Sequence, residues 1–203
     1  MSETERREQI LQAALQVFSK HGYHQASIKT IARAADIKSA ALIYHYFHDK
    51  KALLKAVIEE LSPARDLPML RPETAQQLMS VDPEILLEQV AKSMLSLLDD
   101  TDMQNFMRLF LSDAARMPDV AELFVDTQQQ MLHFLASYFQ YHMEQGRLRE
   151  HDPQVAARAF IGMLLVYLMA HLVFTPLAET FPVRDAYVKE IIRIYLEGLR
   201  SKL

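Results

Sequence analysis

Between residues 20 and 55 the chain carries Lys20, Lys29, Arg33, Lys38, Lys50, Lys51 and Lys55 against only Asp36 and Asp49. Cations gathered on one stretch suit a polyanion, because each one that neutralises a phosphate releases condensed counterions. The rest of the chain has the opposite balance. Residues 1–60 hold 9 Lys and Arg against 7 Asp and Glu, the other 143 hold 13 against 19, and the whole chain carries −4. Side chains that suit base edges lie among the cations. Ala40 and Ala41 allow close backbone approach and offer methyls to thymine methyls, while Tyr44 and His45 can hydrogen-bond to phosphate or base. An ordinary solvated helix surface is the plain alternative for the charges. Their position within or beside two short helices favours nucleic acid.

Those helices are legible from apolar spacing. Ser27 precedes Ile28, Ile31, Ala32 and Ala35, and Ser39 precedes Leu42, Ile43, Tyr46 and Phe47, each a one-sided helical stripe behind a capping serine. Two short helices joined by a tight turn form a helix-turn-helix, whose second helix lies in the DNA major groove. With Leu42, Ile43 and Phe47 inward, Ala40, Ala41, Tyr44 and His45 are expected outward. Ahead of the pair, Ser2 and Glu5 make a capping box for a long helix carrying Ile10, Leu11, Ala14 and Phe18, and Gly22 suits its left-handed stop. Behind the pair, Asp49 caps a helix with Leu53, Leu54, Val57, Ile58 and Leu61 on one face. Lys50 in that first turn opposes the helix dipole, which a phosphate at the helix start would offset.

Other chemistry is thinly represented. His21-x-x-His24 straddles Gly22, and His45-x-x-His48 has only Asp49 as a nearby carboxylate, so no metal site is assigned. There is no phosphate-cradling glycine loop, nucleophile elbow or HExxH, and neither an enzyme nor a cofactor is expected.

The segment from Arg7 to Ile58 resembles the DNA-binding domain of the TetR (tetracycline repressor) family of bacterial regulators. The resemblance runs through Ile10, Ala14, Phe18, Gly22-Tyr23, Ser27, Ile31-Ala32, Tyr44-x-Tyr46-Phe47, Lys50 and Leu53, in the family's order. Two departures stand out: Asp36-Ile37-Lys38 replaces the family's usual turn glycine, and Ala41 stands where a glycine is often found. The resemblance implies an all-α chain, with a three-helix helix-turn-helix DNA-binding domain over residues 1–61 and a helical effector-binding and dimerisation domain over 62–203. It also implies a homodimeric repressor that holds a near-palindromic operator until a small effector binds. In that setting Ser27, Tyr44 and Lys50 are assigned to phosphate. Lys29, Ala40, Ala41 and His45 are assigned to base edges, with Lys38 beside them and phosphate an equal option for His45. A helical protein-interaction module that does not bind DNA is the second reading.

Beyond a proline-bearing boundary from Ser62 to Pro72 the pattern stays helical. Asp82-Pro83 and Asp152-Pro153 each set a cap before a first-turn proline. Ala159 to Ala178 lacks any Asp, Glu, Lys or Arg. His171, Thr175-Pro176, Gly162 and the absence of a flanking basic cluster make it a buried helix rather than a membrane span. In the family the last two helices pair with their copies, which puts a dimer interface at Ala159–Phe174 and Val183–Leu199. No cysteine is present and Met1 to Gln9 is charged, both compatible with a cytoplasmic protein. Ten of eleven methionines follow residue 61. Such flexible side chains serve as core filler or as walls for a lipophilic ligand. An apolar effector pocket is accordingly assigned to Met94, Phe106, Met107, Phe110, Phe134, Tyr138, Tyr167 and His171, with Arg108 and Arg116 as possible anion partners.

Overall fold

The computed structural model describes residues 2–61, 72–114 and 118–199. Residues 62–71 of the expected boundary, and Arg116, lie outside the described residues. The described residues form α1 (Glu3–Gln25), α2 (Ile28–Ala34), α3 (Ala40–Tyr46), α4 (Lys50–Leu61), α5 (Pro72–Leu78), α6 (Pro83–Leu95), α7 (Thr101–Ala114), α8 (Pro118–Glu144), α9 (Pro153–Leu172), α10 (Thr175–Ala178) and α11 (Arg184–Leu199), with no strand among them.

The chain divides into two compact units, Met1–Arg65 with Leu97–Val125 and Asp66–Ser96 with Asp126–Leu203. Helix α7 groups with the first four helices in the first of these units. The reason lies on α1. Its buried residues extend past Ile10, Leu11, Ala14 and Phe18 to Ala13, Leu15 and Val17, a wider apolar surface than one neighbour covers. Helix α7 packs along α1, and its Met103, Phe106 and Phe110 join the cluster built by Phe18, Ile31, Ile43, Phe47 and Leu53.

Local rules set the ends of these helices. Ser2 and Glu5 form the reciprocal capping box. Gly22 sits at φ 72°, ψ 166°, a conformation essentially reserved for glycine, and it breaks α1 one turn before its end. The Asp49 carboxylate accepts from the Ala52 N–H at 2.7 Å, capping α4 as expected.

In the second unit, phenols hold helices together by donating to main-chain carbonyls. Tyr195 reaches Ala156 O and Tyr187 reaches Met163 O, both at 2.6 Å, fixing α11 on α9. Tyr138 of α8 donates to Val81 O at 2.6 Å, ahead of α6. Asp152 caps α9 through the N–H groups of Gln154 and Val155. The uncharged stretch is not one continuous helix: α9 ends at Leu172 and Thr175-Pro176 opens α10. Half of α9's most apolar window is buried. Its outward residues Val155, Ala159 and Val166, continued by Val173 at its C-cap, recur on one side, with Gly162 and Met169 half-buried between them.

Candidate nucleic-acid interface

Helices α2 and α3, of seven residues each, are held by caps at their ends as well as by buried Ile28, Ile31, Ala32 and Ile43 along their length. The Ser27 hydroxyl accepts from the Thr30 N–H, and the Thr30 hydroxyl accepts from the Ser27 N–H in return, so that α2 starts inside a closed box. Gln9 of α1 donates its amide to Ala35 O at 2.7 Å and fastens the far end of α2. Asp36 follows with φ 51°, the left-handed conformation that asparagine and aspartate tolerate better than other L residues. Its N–H reaches Arg33 O, and the Ile37 N–H reaches Ala32 O at 2.8 Å, the paired bonds of a Schellman stop. Asp36 therefore performs the turn that a glycine usually performs in this family. Ile37 drops into the core and Ser39 caps α3 through the Ala41 N–H.

The inner side of α3 runs through half-buried Ala40, buried Ile43 and buried Phe47, a spacing of three and four. Ala41, Leu42, Tyr44 and His45 face out. Two expectations are corrected here. Leu42, read as inward, is 37% exposed, and Ala40, read as outward, packs on the core. The core admits one line of side chains from so short a helix, and Leu42 lies about 100° around from Ile43.

The cations separate into two kinds. Lys29, Arg33 and Lys38 are exposed and pair with no carboxylate among the described residues. Lys50 differs from the expectation of an outward phosphate contact. Its ammonium donates to Tyr23 O at 2.8 Å and Ala26 O at 2.9 Å, and lies 4.3 Å from the centre of the Tyr23 ring. The carbonyls left open where Gly22 breaks α1 supply this cradle, and burial lowers the ammonium's pKa. The Ser27 hydroxyl is likewise engaged within its cap, 2.6 Å from the Thr30 hydroxyl. Arg7 forks onto Glu60 and lies 5.0 Å over the Phe47 ring, which ties α1, α4 and the end of α3 together.

The proposed effector residues belong to both units. Phe106, Met107 and Phe110 serve the core of the first unit, where the two phenyl rings sit 6.0 Å apart. In the second unit Met94 is buried on α6, and Tyr167 stacks on His171 at 4.1 Å beside Phe181 and Tyr187. Phe134 lines an open cleft of about 580 Å³ with Ala75, Gln76, Met79, Ser80 and Tyr141. Tyr138 stacks against Phe134, but its hydroxyl is committed to Val81 O, and burial pushes its pKa upward. The α5 wall was hidden from sequence reading because Pro72 looked like a boundary residue. Leu42 was missed as a surface group because periodicity in a seven-residue helix leaves the facing direction ambiguous.

Comparison with known proteins gives the family and the fold. Residues 10–57 match the family "Bacterial regulatory proteins, tetR family", and residues 86–198 match the family "AefR-like transcriptional repressor, C-terminal domain". The transcriptional regulator UidR of Escherichia coli K12 is 44% identical over 52 residues, a match spanning 26% of this chain and 26% of that regulator. BetI of Escherichia coli O139:H28 is 40% identical over 57 residues, 28% of this chain and 29% of BetI. The match therefore spans little more than a quarter of the length of these relatives. Similar folds extend over nearly the whole chain. A SmeT–triclosan complex gives a TM-score of 0.77 at 22% identity, covering 98% of this chain and 93% of SmeT. FadR from Bacillus subtilis with stearoyl-CoA gives 0.74 at 19% identity, covering 94% and 98% respectively. With one family match covering more than half of its residues and a second covering the helix-turn-helix, the chain belongs to the TetR family of bacterial DNA-binding transcriptional regulators.

Proposed function

We propose that the protein is a homodimeric repressor, working in the cytoplasm, that binds a near-palindromic operator and is released by a small lipophilic effector. The observation that carries the DNA reading is the exposed face of α3 together with the exposed cations Lys29 and Arg33 of α2 and Lys38 of the turn, none of which pairs with a carboxylate among the described residues. Cations without protein partners are available to phosphates. Tyr44 and His45 supply hydrogen bonds, and Ala41 allows close approach to base edges. Ser27 and Lys50 contribute by fixing the helices that present these groups.

Dimerisation is supported by the apolar outward line on α9, with Ile194 and Gly198 exposed on α11. A two-fold dimer places two α3 helices about 34 Å apart, the repeat of successive major grooves. The effector reading draws on the relatives: SmeT is seen with triclosan and Bacillus subtilis FadR with stearoyl-CoA. In this chain the cleft beside Phe134 offers an apolar wall with the hydrogen-bonding groups of Gln76, Ser80 and Tyr141. An effector releases DNA only through a higher affinity for the dimer state that cannot span both grooves.

The test is fluorescence anisotropy of the full chain against the DNA upstream of its own gene and a scrambled duplex, across a salt series. Saturable binding to the former alone is expected. Absence of binding to either duplex at low salt would overturn the reading and favour a protein partner for the α3 face.

A further inference from the structure

The outward side of α3 consists of Ala41, Leu42, Tyr44 and His45. It contains no Arg, Lys, Asn or Gln, the side chains that pair bidentately with guanine or adenine. The adjoining Ser39 hydroxyl is bound to the Ala41 N–H. At one edge of this side stands Leu42, 37% exposed, about 100° around from Ala41 and about 60° from His45. An exposed leucine would be an unremarkable surface residue on many helices. Here it follows the exposed, unpaired Lys38 by four residues, in a helix-turn-helix whose first helix carries exposed Lys29 and Arg33, and a buried Ile43 lies behind it. Charge complementarity therefore selects a polyanion as the occupant, and the polyanion must bring an apolar group to meet the leucine. In the major groove of DNA the thymine 5-methyl is the apolar group exposed on a base edge.

Resting on the proposed DNA reading, we infer that Leu42 is a specificity-determining residue that reads a thymine methyl in each half-site. One base pair of the half-site is then chosen by apolar contact. Lys29 and Lys38 are left for the flanking phosphates or guanines. Burying one methyl against leucine corresponds to about fourfold in affinity per half-site, and about fifteenfold when both half-sites are altered. Leu42 makes little contribution to the core, so its replacement leaves the fold in place.

The experiment begins with duplexes selected from a random library by the full-length protein. Each thymine of a selected duplex is replaced in turn by deoxyuridine, which removes only the methyl. Dissociation constants are then measured for the wild type and Leu42→Ala, with thermal melting as the folding control. The expected result is one symmetry-related thymine pair whose demethylation weakens wild-type binding about fifteenfold and leaves Leu42→Ala binding unchanged. A repeat selection with Leu42→Gln should lose the thymine requirement at that position alone. Equal uracil sensitivity in wild type and Leu42→Ala, or insensitivity at every thymine, overturns the role of Leu42. Failure of the wild type to enrich any sequence overturns the DNA reading beneath it, which keeps the two failures distinct.

Discussion

Replacing Lys50 by methionine separates a cation that holds the protein together from one that holds DNA. Methionine keeps much of the aliphatic stem and removes the ammonium, and with it the donations to Tyr23 O and Ala26 O and the approach to the Tyr23 ring. A hydrogen bond to a charged group contributes about 1.5–3 kcal/mol and an exposed cation–π contact about 0.5–1 kcal/mol. Desolvation of the half-buried ammonium offsets part of this, as its lowered pKa indicates. We expect a net cost of about 2 kcal/mol, which for a chain of 203 residues lowers the melting temperature by about 4–8 °C. Salt dependence supplies the second readout. A residue that contacts one phosphate contributes about 0.9 to the slope of log K against log salt. Lys50→Met should shift that line downward with its slope intact, because the reading helices lose their support. Lys29→Ala should reduce the slope by about 0.9 per protomer and leave the melting temperature unchanged. Differential scanning calorimetry with anisotropy titrations at four salt concentrations measures both. A Lys50→Met protein with unaltered melting and a slope reduced by about 0.9 per protomer would refute the reasoning and return Lys50 to the DNA backbone.

Three further predictions follow from particular geometries. At Asp36, with φ 51°, Asp36→Val should cost more than about 1–2 kcal/mol in urea denaturation, whereas Asp36→Gly should stay within about 1 kcal/mol of wild type. His142 is fully buried, and burial, with Arg147 adding to it, holds its pKa below the ordinary value near 6.5. The unfolded chain therefore takes up a proton first as pH falls. Stability should drop from pH 7 to 5.5 with a His142 contribution of at most about 1.4 kcal/mol per pH unit, which His142→Leu removes. An unchanged pH slope in that variant would contradict the assignment. Val166 is 52% exposed on the outward line of α9, so Val166→Glu should leave the protomer folded and yield monomers in sedimentation equilibrium, with operator affinity lost. A dimer of undiminished affinity would place the interface elsewhere.

Sequence alone determined the helical class, the order of the main elements and many of their ends. Caps and stops act within three to five residues, so Ser2 with Glu5, Gly22, Ser27, Ser39, Asp49 and Asp152 announce themselves without any knowledge of the fold. The basic stretch and the apolar stripes of the long helices were legible for the same reason. Tertiary structure decided what depends on partners distant in the chain. It turned Leu42 outward and Ala40 inward, because seven residues span fewer than two turns and only the neighbouring core defines which side is buried. It brought α7 onto α1 across more than seventy residues and thereby placed Phe106 and Phe110 in the core of the first unit. It also drew the Lys50 ammonium to carbonyls more than twenty residues earlier. Charge sign and side-chain length are properties of a residue. Which acceptor the charge meets is a property of the packed chain, since burial makes the nearest unsatisfied carbonyl the strongest claimant.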